Sequence, residues 1–375
     1  MKIKSISCDI CKKEYDYPTG QKKHFHKEYE MGGVPINIWT PIYMLQKERE
    51  LTVKNEKGIF KYKKYLPNSK YEYSLDEGNT PLLRLKDFSL NYNFQIYLKD
   101  ESRNPTGSFK DRGISLLVSD AKESGKKKIA IPSTGNAAIS LTKYAMLANI
   151  ESIVFTTKGI SDEKLNALDK FSQVIPEKDL IKCYESFFEF CKKNKEVYNG
   201  FPVTSIPYSQ GAKTMAYEIY SSLGKAPDWM IIPCGSGGNI VSQYHGFKDL
   251  LDIGLIKKMP HFVSVQISGA DPITKGYGKK HSEKIVVIKN PVKSKADAIA
   301  SDTCFNYFKI MDLLSKTNGL AVSVSDNEIS NYSNKFGWLE FSSVSVFPAV
   351  EKIKRNIKEN EDVVLIGTAS SRRKK

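Results

Sequence analysis

The segment Trp229-Met-Ile-Ile-Pro-Cys-Gly-Ser-Gly-Gly-Asn239 decides the fold class. A short apolar run leads into a glycine-rich turn, and a stretch with helical periodicity follows the turn. Runs of this length, bounded by turn residues, are typical of buried strands. Four further apolar runs alternate with amphipathic stretches, and they cover residues 128–131, 152–155, 262–265 and 363–366. This alternation predicts an α/β architecture with parallel sheets.

The length of the chain allows two domains. A protein of 375 residues that is 40% hydrophobic can bury more than one core. Residues 1–70 are rich in Lys and Tyr and have weak periodicity. We therefore expect an irregular N-terminal extension that packs on the main body.

Charge and cysteine content argue against several classes of protein. The net charge is +15, but 57 basic and 42 acidic residues are scattered along the chain, which does not favour nucleic-acid binding. Six irregularly spaced cysteines favour reduced thiols over a disulfide framework. We find no apolar run near the roughly 20 residues that cross a bilayer, and no export signal. These features predict a cytoplasmic protein without membrane spans.

The segment Asn104-Pro-Thr-Gly-Ser-Phe-Lys-Asp-Arg-Gly113 carries the first candidate for chemistry. Lys110 follows a Pro/Gly turn and begins a predicted helix that runs to about Gly125. A lysine amine forms a Schiff base with an aldehyde once a pocket lowers its pKa. Because lysine is common, this position alone is better explained as an ordinary turn.

The segment Pro132-Ser-Thr-Gly-Asn-Ala137 lies between a predicted strand and a helix that ends near Ala148. Backbone N–H groups at such a helix start point toward an anion, and the hydroxyls of Ser133 and Thr134 can add hydrogen bonds. A carboxylate is a suitable ligand. Taken alone, helix capping is the simpler explanation.

The turn in Pro233-Cys-Gly-Ser-Gly-Gly-Asn239 contains three glycines. Glycines let the backbone approach a ligand closely and turn its amides inward, which makes a cradle for phosphate. The segment lacks the Gly-Lys-Ser/Thr ending of a nucleotide P-loop and the spacing of a dinucleotide fingerprint. A single glycine-rich turn is a weak signal.

The three segments are specific when taken together. They supply an amine nucleophile, a carboxylate site and a phosphate site, each at a junction between a strand and a helix. Pyridoxal phosphate (PLP) with an amino-acid substrate requires this set. The sequence therefore predicts a PLP enzyme.

Asn104 to Gly113 resembles the lysine motif of threonine synthases and their fold-type-II PLP relatives. Three further segments are similar, namely Glu77-Gly-Asn-Thr-Pro-Leu82, Gln210-Gly-Ala-Lys-Thr-Met215 and Asn318–Asp326. The resemblance implies two open-sheet α/β domains with the cofactor between them. Residues 106–205 would form the small domain, and residues 71–105 with 206–375 the large PLP-binding domain. It also implies a homodimer.

The resemblance assigns roles to individual residues. Lys110 would bond to the cofactor and move protons at the substrate carbons. The substrate carboxylate would be bound by Ser133, Thr134, Gly135 and Asn136, and Asn136 would also reach the phenolic oxygen of the cofactor. The cofactor phosphate would be bound by Gly235, Ser236, Gly237, Gly238 and Asn239.

The partner of the pyridine nitrogen is less well defined. Relatives end in Thr-Gly-x-Gly-Leu-Lys, whereas this chain reads Ile366-Gly-Thr-Ala-Ser-Ser-Arg372. Thr368 is the first choice and Ser370 the alternative. A neutral hydroxyl there would leave the pyridine largely unprotonated, which suits elimination or replacement better than transamination.

The chain departs from threonine synthases at the substrate phosphate. An Asn and an Arg bind that phosphate in the family, but this chain has Ser205-Ile-Pro-Tyr-Ser-Gln-Gly211, so Tyr208 or Ser209 replaces the arginine. Arg112 and Lys213 are the cations that could compensate. We expect a threonine synthase that converts O-phosphohomoserine to threonine and phosphate. The alternatives are a cysteate-synthase-like or dehydratase-like enzyme and a catalytically silent homologue.

Cys8-x-x-Cys11 with His24 and His26 resembles a metal site only partly. A structural zinc site requires four ligands and usually two paired turns. We therefore predict no metal.

Overall fold

The structure is a computed structural model. It describes residues 2–9, 11–16, 30–31, 34–35, 39–44, 50–90, 92–133, 135–158, 165, 168, 172–277 and 284–371. The strands are β1 (Lys2–Cys8), β2 (Glu14–Tyr15), β3 (Glu30–Met31), β4 (Val34–Pro35), β5 (Trp39–Met44), β6 (Leu82–Arg84), β7 (Gln95–Asp100), β8 (Lys128–Pro132), β9 (Glu151–Thr157), β10 (Ser172–Glu177), β11 (Val197–Asn199), β12 (Trp229–Pro233), β13 (His261–Ile267), β14 (Leu320–Val324) and β15 (Asp362–Gly367).

The α-helices are α1 (Lys86–Ser89), α2 (Lys110–Glu123), α3 (Asn136–Leu147), α4 (Leu180–Lys193), α5 (Ile206–Ala212), α6 (Thr214–Leu223), α7 (Gly238–Asp252), α8 (Pro272–Tyr277), α9 (Tyr307–Lys316), α10 (Asp326–Ser333), α11 (Phe341–Val344) and α12 (Val346–Ile353). Three 3-10 helices cover Gly58–Tyr65, Glu101–Arg103 and Asp297–Ile299. All five apolar runs lie in strands, so the predicted α/β architecture is confirmed.

The larger sheet has six strands in the order β14-β13-β12-β15-β7-β6. All neighbours are parallel except β6, which runs antiparallel to β7. Successive side chains of a strand point to opposite faces. Trp229 and Ile231 accordingly enter one hydrophobic cluster, and Met230 and Ile232 enter another. Because both faces are covered, the strand reads as one continuous apolar run.

The smaller sheet has four parallel strands in the order β10-β9-β8-β11. Ile129 and Ile131 of β8 pack with residues of α2 and α3 on one face. Ala130 packs with Phe187 of α4 on the other face. Strand β8 of the smaller sheet leads into the turn before Asn136, and strand β12 of the larger sheet leads into the glycine-rich turn. Each sheet therefore precedes one of the turns that the sequence singled out.

The N-terminal segment has more regular structure than the sequence indicated. Strands β2, β1 and β5 form a three-stranded antiparallel sheet in that order. Strand β2 has only two residues, and β1 is paired with a register shift, so little periodicity is visible in the sequence. Within the described ranges, no helix is long and apolar enough to cross a membrane.

Candidate active site

Lys110 is the first residue of α2, and the segment that follows β15 contacts the turn before it. The Phe109 N–H donates to the Thr368 carbonyl at 3.0 Å, and the Ser370 N–H donates to the Gly107 carbonyl at 2.8 Å. Gly107 has a φ of +83°, which glycine adopts without strain. These contacts fix the position of Lys110 relative to the end of β15.

The Lys110 side chain is half-buried, and its amine lies against two aromatic rings. Its Nζ lies 4.4 Å from the centroid of the Phe109 ring and 5.8 Å from that of Tyr208. Burial lowers the pKa of Lys110 to about 8, although the Glu340 carboxylate acts in the opposite direction. A substantial fraction of the amine is therefore neutral near neutral pH, and a neutral amine is nucleophilic.

The glycine-rich turn follows β12 and is fixed by Asn306. The N–H and the side-chain Nδ2 of Asn306 both donate to the Ser236 carbonyl, at 3.2 and 2.7 Å. Gly237 has a φ of +84°, and a Cβ there would lie 2.4 Å from the Ile310 side chain. A Cβ on Gly238 would instead meet no other atom within 4 Å. Gly237 is thus required by the fold, whereas Gly238 borders open space.

The pocket in front of this turn contains two polar atoms that lack partners. Asn239 Nδ2 and Ser342 Oγ are buried, and neither has a hydrogen-bond partner among the described residues. Both residues line the same pocket as Lys110 and Gly238. Leaving a buried polar group unpaired is costly, so such atoms indicate a missing ligand. With the glycine backbone they suit a phosphate-bearing ligand.

Asn136 and Glu340 meet at the pocket from two separate parts of the chain. Asn136 Nδ2 donates to Glu340 Oε2 at 3.0 Å, and both residues line the pocket. Ser133 and Gly135 precede Asn136 on the same turn but are not among the residues that form the pocket wall. Thr134 lies outside the described residues.

Thr368 lines the pocket, whereas Ser370 does not. The Thr368 and Ser343 hydroxyl oxygens are 2.7 Å apart, and either can donate. Ser370 instead directs its hydroxyl to the Trp338 carbonyl at 3.4 Å. The pocket is therefore lined by Lys110, Asn136, Thr368 and all five residues from Gly235 to Asn239.

Three residues of this region were missed by the sequence analysis, namely Glu340, Ser342 and Asn306. Glu340 reaches the pocket because its N–H donates to the Ala369 carbonyl at 2.8 Å, a contact between residues distant in sequence. The segment around it contains no glycine-rich turn. No local pattern distinguishes these three residues.

Arg112 belongs to a buried network of charges behind the lysine. Its Nε donates to Glu101 at 2.6 Å, and its terminal nitrogens bind Glu218 at 2.7 and 3.0 Å. Lys99 Nζ also donates to Glu218, at 2.8 Å. The nearby cations lower the pKa values of both glutamates despite burial. Arg112 is therefore committed to a structural network.

Lys213, the second cation that could bind a substrate phosphate, is also held in an ion pair. Lys213 Nζ lies 2.6 Å from Asp249 in a buried ion pair. At the position of the family arginine, the Tyr208 hydroxyl is buried without a partner among the described residues, and Ser209 Oγ donates to the Ile206 carbonyl at 3.1 Å. None of these four side chains brings a positive charge to the pocket wall.

The structure describes only two of the four N-terminal residues that could be metal ligands. Cys8 is buried and Cys11 is half-buried, while His24 and His26 lie outside the described residues. In the part of the chain that the structure describes, no group of three or more His, Cys, Asp or Glu residues could hold a metal ion.

The sequence matches the family of pyridoxal-phosphate dependent enzymes over residues 73–369, and the chain belongs to that family. Threonine synthase from Methanocaldococcus jannaschii is 33% identical over 330 residues, which cover 84% of this chain and 80% of the relative. Threonine synthase from Synechocystis sp. is 32% identical, covering 72% of this chain and 69% of the relative. The chain is therefore a PLP-dependent enzyme, and within that class it is a threonine-synthase-like lyase.

The fold agrees with this family. The processed form of threonine deaminase isoform 2 from Solanum lycopersicum aligns with a TM-score of 0.66 and 21% identity, covering 78% of this chain and 79% of the deaminase. A likeness at this identity concerns the fold alone. It confirms the fold-type-II α/β architecture.

Proposed function

We propose that this enzyme carries out elimination or replacement at the β or γ carbon of an amino acid, with conversion of O-phosphohomoserine to threonine and phosphate as the first candidate reaction. The observation that carries the proposal is the pocket that a half-buried lysine shares with a glycine-rich turn and two unpartnered polar atoms. Similarity to threonine synthases over most of the chain supports the reaction.

In this proposal the residues of the pocket divide between the two ends of the cofactor. The backbone from Gly235 to Gly238, with Asn239 Nδ2 and Ser342 Oγ, would bind the phosphate. Thr368 would place a neutral hydroxyl near the pyridine nitrogen. PLP, when bound, supplies an electron sink for negative charge at the substrate α carbon.

Substrate binding is assigned to the turn that follows β8. Ser133, Thr134, Gly135 and Asn136 would bind the substrate carboxylate, since helix starts favour anions. Asn136 would also contact the phenolic oxygen of the cofactor, because among the described residues of this set it is the one that lines the pocket. Two further predictions belong to this proposal: the protein forms a homodimer, and it is located in the cytoplasm.

Lys110 would act first as a nucleophile and then as the group that moves protons at the substrate carbons. Both roles need an amine that exchanges protons near neutral pH. A lysine in water is almost fully protonated there, but burial brings the pKa of Lys110 to about 8. Glu340 opposes this effect and so sets how much neutral amine is present.

The pH dependence of cofactor capture tests the role of Glu340. The rate at which apoenzyme takes up PLP should fall roughly tenfold per pH unit below the pKa of Lys110 and level off above it. Glu340→Gln removes the charge that raises this pKa, so the midpoint should move to lower pH. Stopped-flow absorbance between about pH 6 and 9.5 measures it. An unchanged midpoint would contradict the assignment, and Glu359→Gln, an exposed acid, is the control.

The phosphate cradle is tested by comparing two adjacent glycines. Gly238→Val should project into open space at the pocket and weaken PLP binding at least about tenfold, with little change in apoenzyme stability. Gly237→Val should instead destabilise the apoenzyme, because of its positive φ and the close Ile310 side chain. Equilibrium titration and thermal unfolding measure the two effects. Full PLP affinity in a folded Gly238→Val variant would refute the cradle.

One observation favours a second candidate substrate. Lys110 is the one cationic side chain among the described residues that line the pocket. Because Arg112 and Lys213 are held in buried ion pairs, a substrate phosphate would lack the bidentate arginine that best binds it. A smaller or less charged leaving group fits this wall better, as in replacement of acetate at the β carbon or in a dehydratase-like reaction.

Specificity constants distinguish the two candidates. The measurement is kcat/KM for four substrates: O-phosphohomoserine, O-phosphoserine, O-acetylserine and threonine. The first candidate predicts the highest value for O-phosphohomoserine, with release of threonine and phosphate. If kcat/KM is at least about tenfold higher for O-acetylserine or threonine, the first candidate reaction is wrong and the second candidate is supported. No turnover and no spectral change with any amino acid would indicate a catalytically silent homologue and refute both.

A further inference from the structure

A second cavity lies away from the candidate active site. It has a volume of about 430 Å³ and is enclosed by the N-terminal sheet, α7 and α9. That size falls in the range of small-molecule sites. It shares no lining residue with the pocket around Lys110. Helix α7 connects the two, because it begins at Gly238 in the cofactor cradle and its last residue, Asp252, lines this cavity.

The described residues that line the cavity include four aspartates and four lysines, and the partner of Asp249 is Lys213, which lies outside this lining. Each of its four aspartates is paired with a lysine: Asp9 with Lys309 at 3.1 Å, Asp249 with Lys213 at 2.6 Å, Asp312 with Lys316 at 2.7 Å, and Asp252 with Lys248. Lys12 also lines the cavity, and no ion pair with it occurs in the described part of the chain. The cavity can therefore accept one negative charge.

His245 supplies a polar group that lacks a protein partner. It is half-buried and lines the cavity from α7, and no hydrogen bond to its ring is found among the described residues. Burial and the charges of Lys309, Lys213 and Lys248 lower the pKa of His245 to about 3, so the ring is neutral. A neutral imidazole offers one N–H donor and one acceptor nitrogen. Both remain available to a ligand.

Part of the remaining wall is apolar, and Thr40 and Tyr244 also line it. Phe308 and Leu313 of α9, Val241 of α7 and Ile42 of β5 line the cavity. Apolar surface of this kind favours a hydrocarbon group. A phosphate dianion fits less well, because four carboxylates surround the cavity and no arginine is present among its described lining residues.

We propose that this cavity binds a small amphipathic organic carboxylate, with its anionic group near Lys12 and His245 and its alkyl group against Phe308 and Ile42. The site is additional to the proposed reaction and does not depend on it. Its ligand class follows from one unmatched positive charge, one unpartnered donor and acceptor pair, and an apolar wall.

The test is calorimetric titration of the holoenzyme with 4-methylvalerate. This probe has no amino group and therefore cannot react with the cofactor as an amino acid does. We expect saturable binding with one site per chain. Inorganic phosphate and 4-methylpentanol, which lack the alkyl group and the charge respectively, should bind more weakly.

Variants locate the binding. His245→Phe should weaken it roughly tenfold, since it removes both polar ring atoms, and His245→Gln should restore part of the loss. Lys12→Ala should weaken it roughly threefold, whereas Lys13→Ala, an exposed neighbour outside the cavity, should have no effect. Absence of saturable binding, tighter binding of phosphate, or affinity that is indifferent to both His245→Phe and Lys12→Ala would overturn the proposal.

Discussion

Replacing Lys110 by alanine is expected to lower kcat roughly 1,000-fold or more, because the same amine bonds to the cofactor and moves the substrate protons. The visible absorbance of the bound cofactor should be lost as well. Lys110 is half-buried in the pocket and is the one cation among the described residues of its wall, so no neighbouring described amine can take its place. Steady-state kinetics and absorbance spectra of the purified variant measure both effects.

A matched control is available in the turn between α2 and β8. Lys127 is exposed, and Lys127→Ala should leave turnover and the spectrum unchanged. Thermal unfolding of apo Lys110→Ala shows whether the variant is folded. A folded Lys110→Ala enzyme with activity within about tenfold of the unmodified protein would contradict the role given to this lysine.

The largest effect on stability is expected from Arg112→Met. Arg112 is fully buried, and its loss would leave Glu101 and Glu218 without their main partner. Removing one partner of a buried ion pair costs about 3–5 kcal/mol, because the remaining charge stays buried. Urea unfolding of the apoenzyme should show this decrease in the free energy of unfolding.

Arg103→Met provides the comparison for that experiment. Arg103 also pairs with an acid, Asp100, but its side chain is 62% exposed. Exposed pairs contribute at most about 1 kcal/mol, so its variant should change stability little. Equal effects for the two variants would show that the buried network is not the main determinant of stability in this region.

Local patterns were sufficient to predict the parts of the site that lie on turns after strands. Asn136 and Gly235 to Asn239 lie where a strand leads into a helix, and the strand and turn signals there lie within a few residues. Lys110 is separated from β7 by the 3-10 helix Glu101–Arg103 and the turn that follows it. The turns before Asn136 and Gly235 follow strands of two different sheets, so the sequence grouped them through the needs of PLP and an amino-acid substrate and not through one sheet edge. The structure brings all of them to one pocket.

The rest depends on contacts between distant segments. Glu340 and Ser342 reach the pocket through the pairing of Glu340 with Ala369, which no local pattern encodes. The commitment of Arg112 to Glu101 and Glu218 likewise needed the three-dimensional arrangement. In the N-terminal segment, strands as short as Glu14–Tyr15 carry too few residues to show alternation. The second cavity joins elements more than 200 residues apart, such as β5 and α9.

The most direct test of the central claim is chemical labelling of the holoenzyme. Borohydride reduction should fix the cofactor covalently to the protein, and peptide mapping should find the pyridoxyl group on Lys110. The same treatment of Lys110→Ala should give no labelled peptide. A label on another lysine, such as Lys99 or Lys213, would contradict the account, because the pocket described here would then not be the cofactor site.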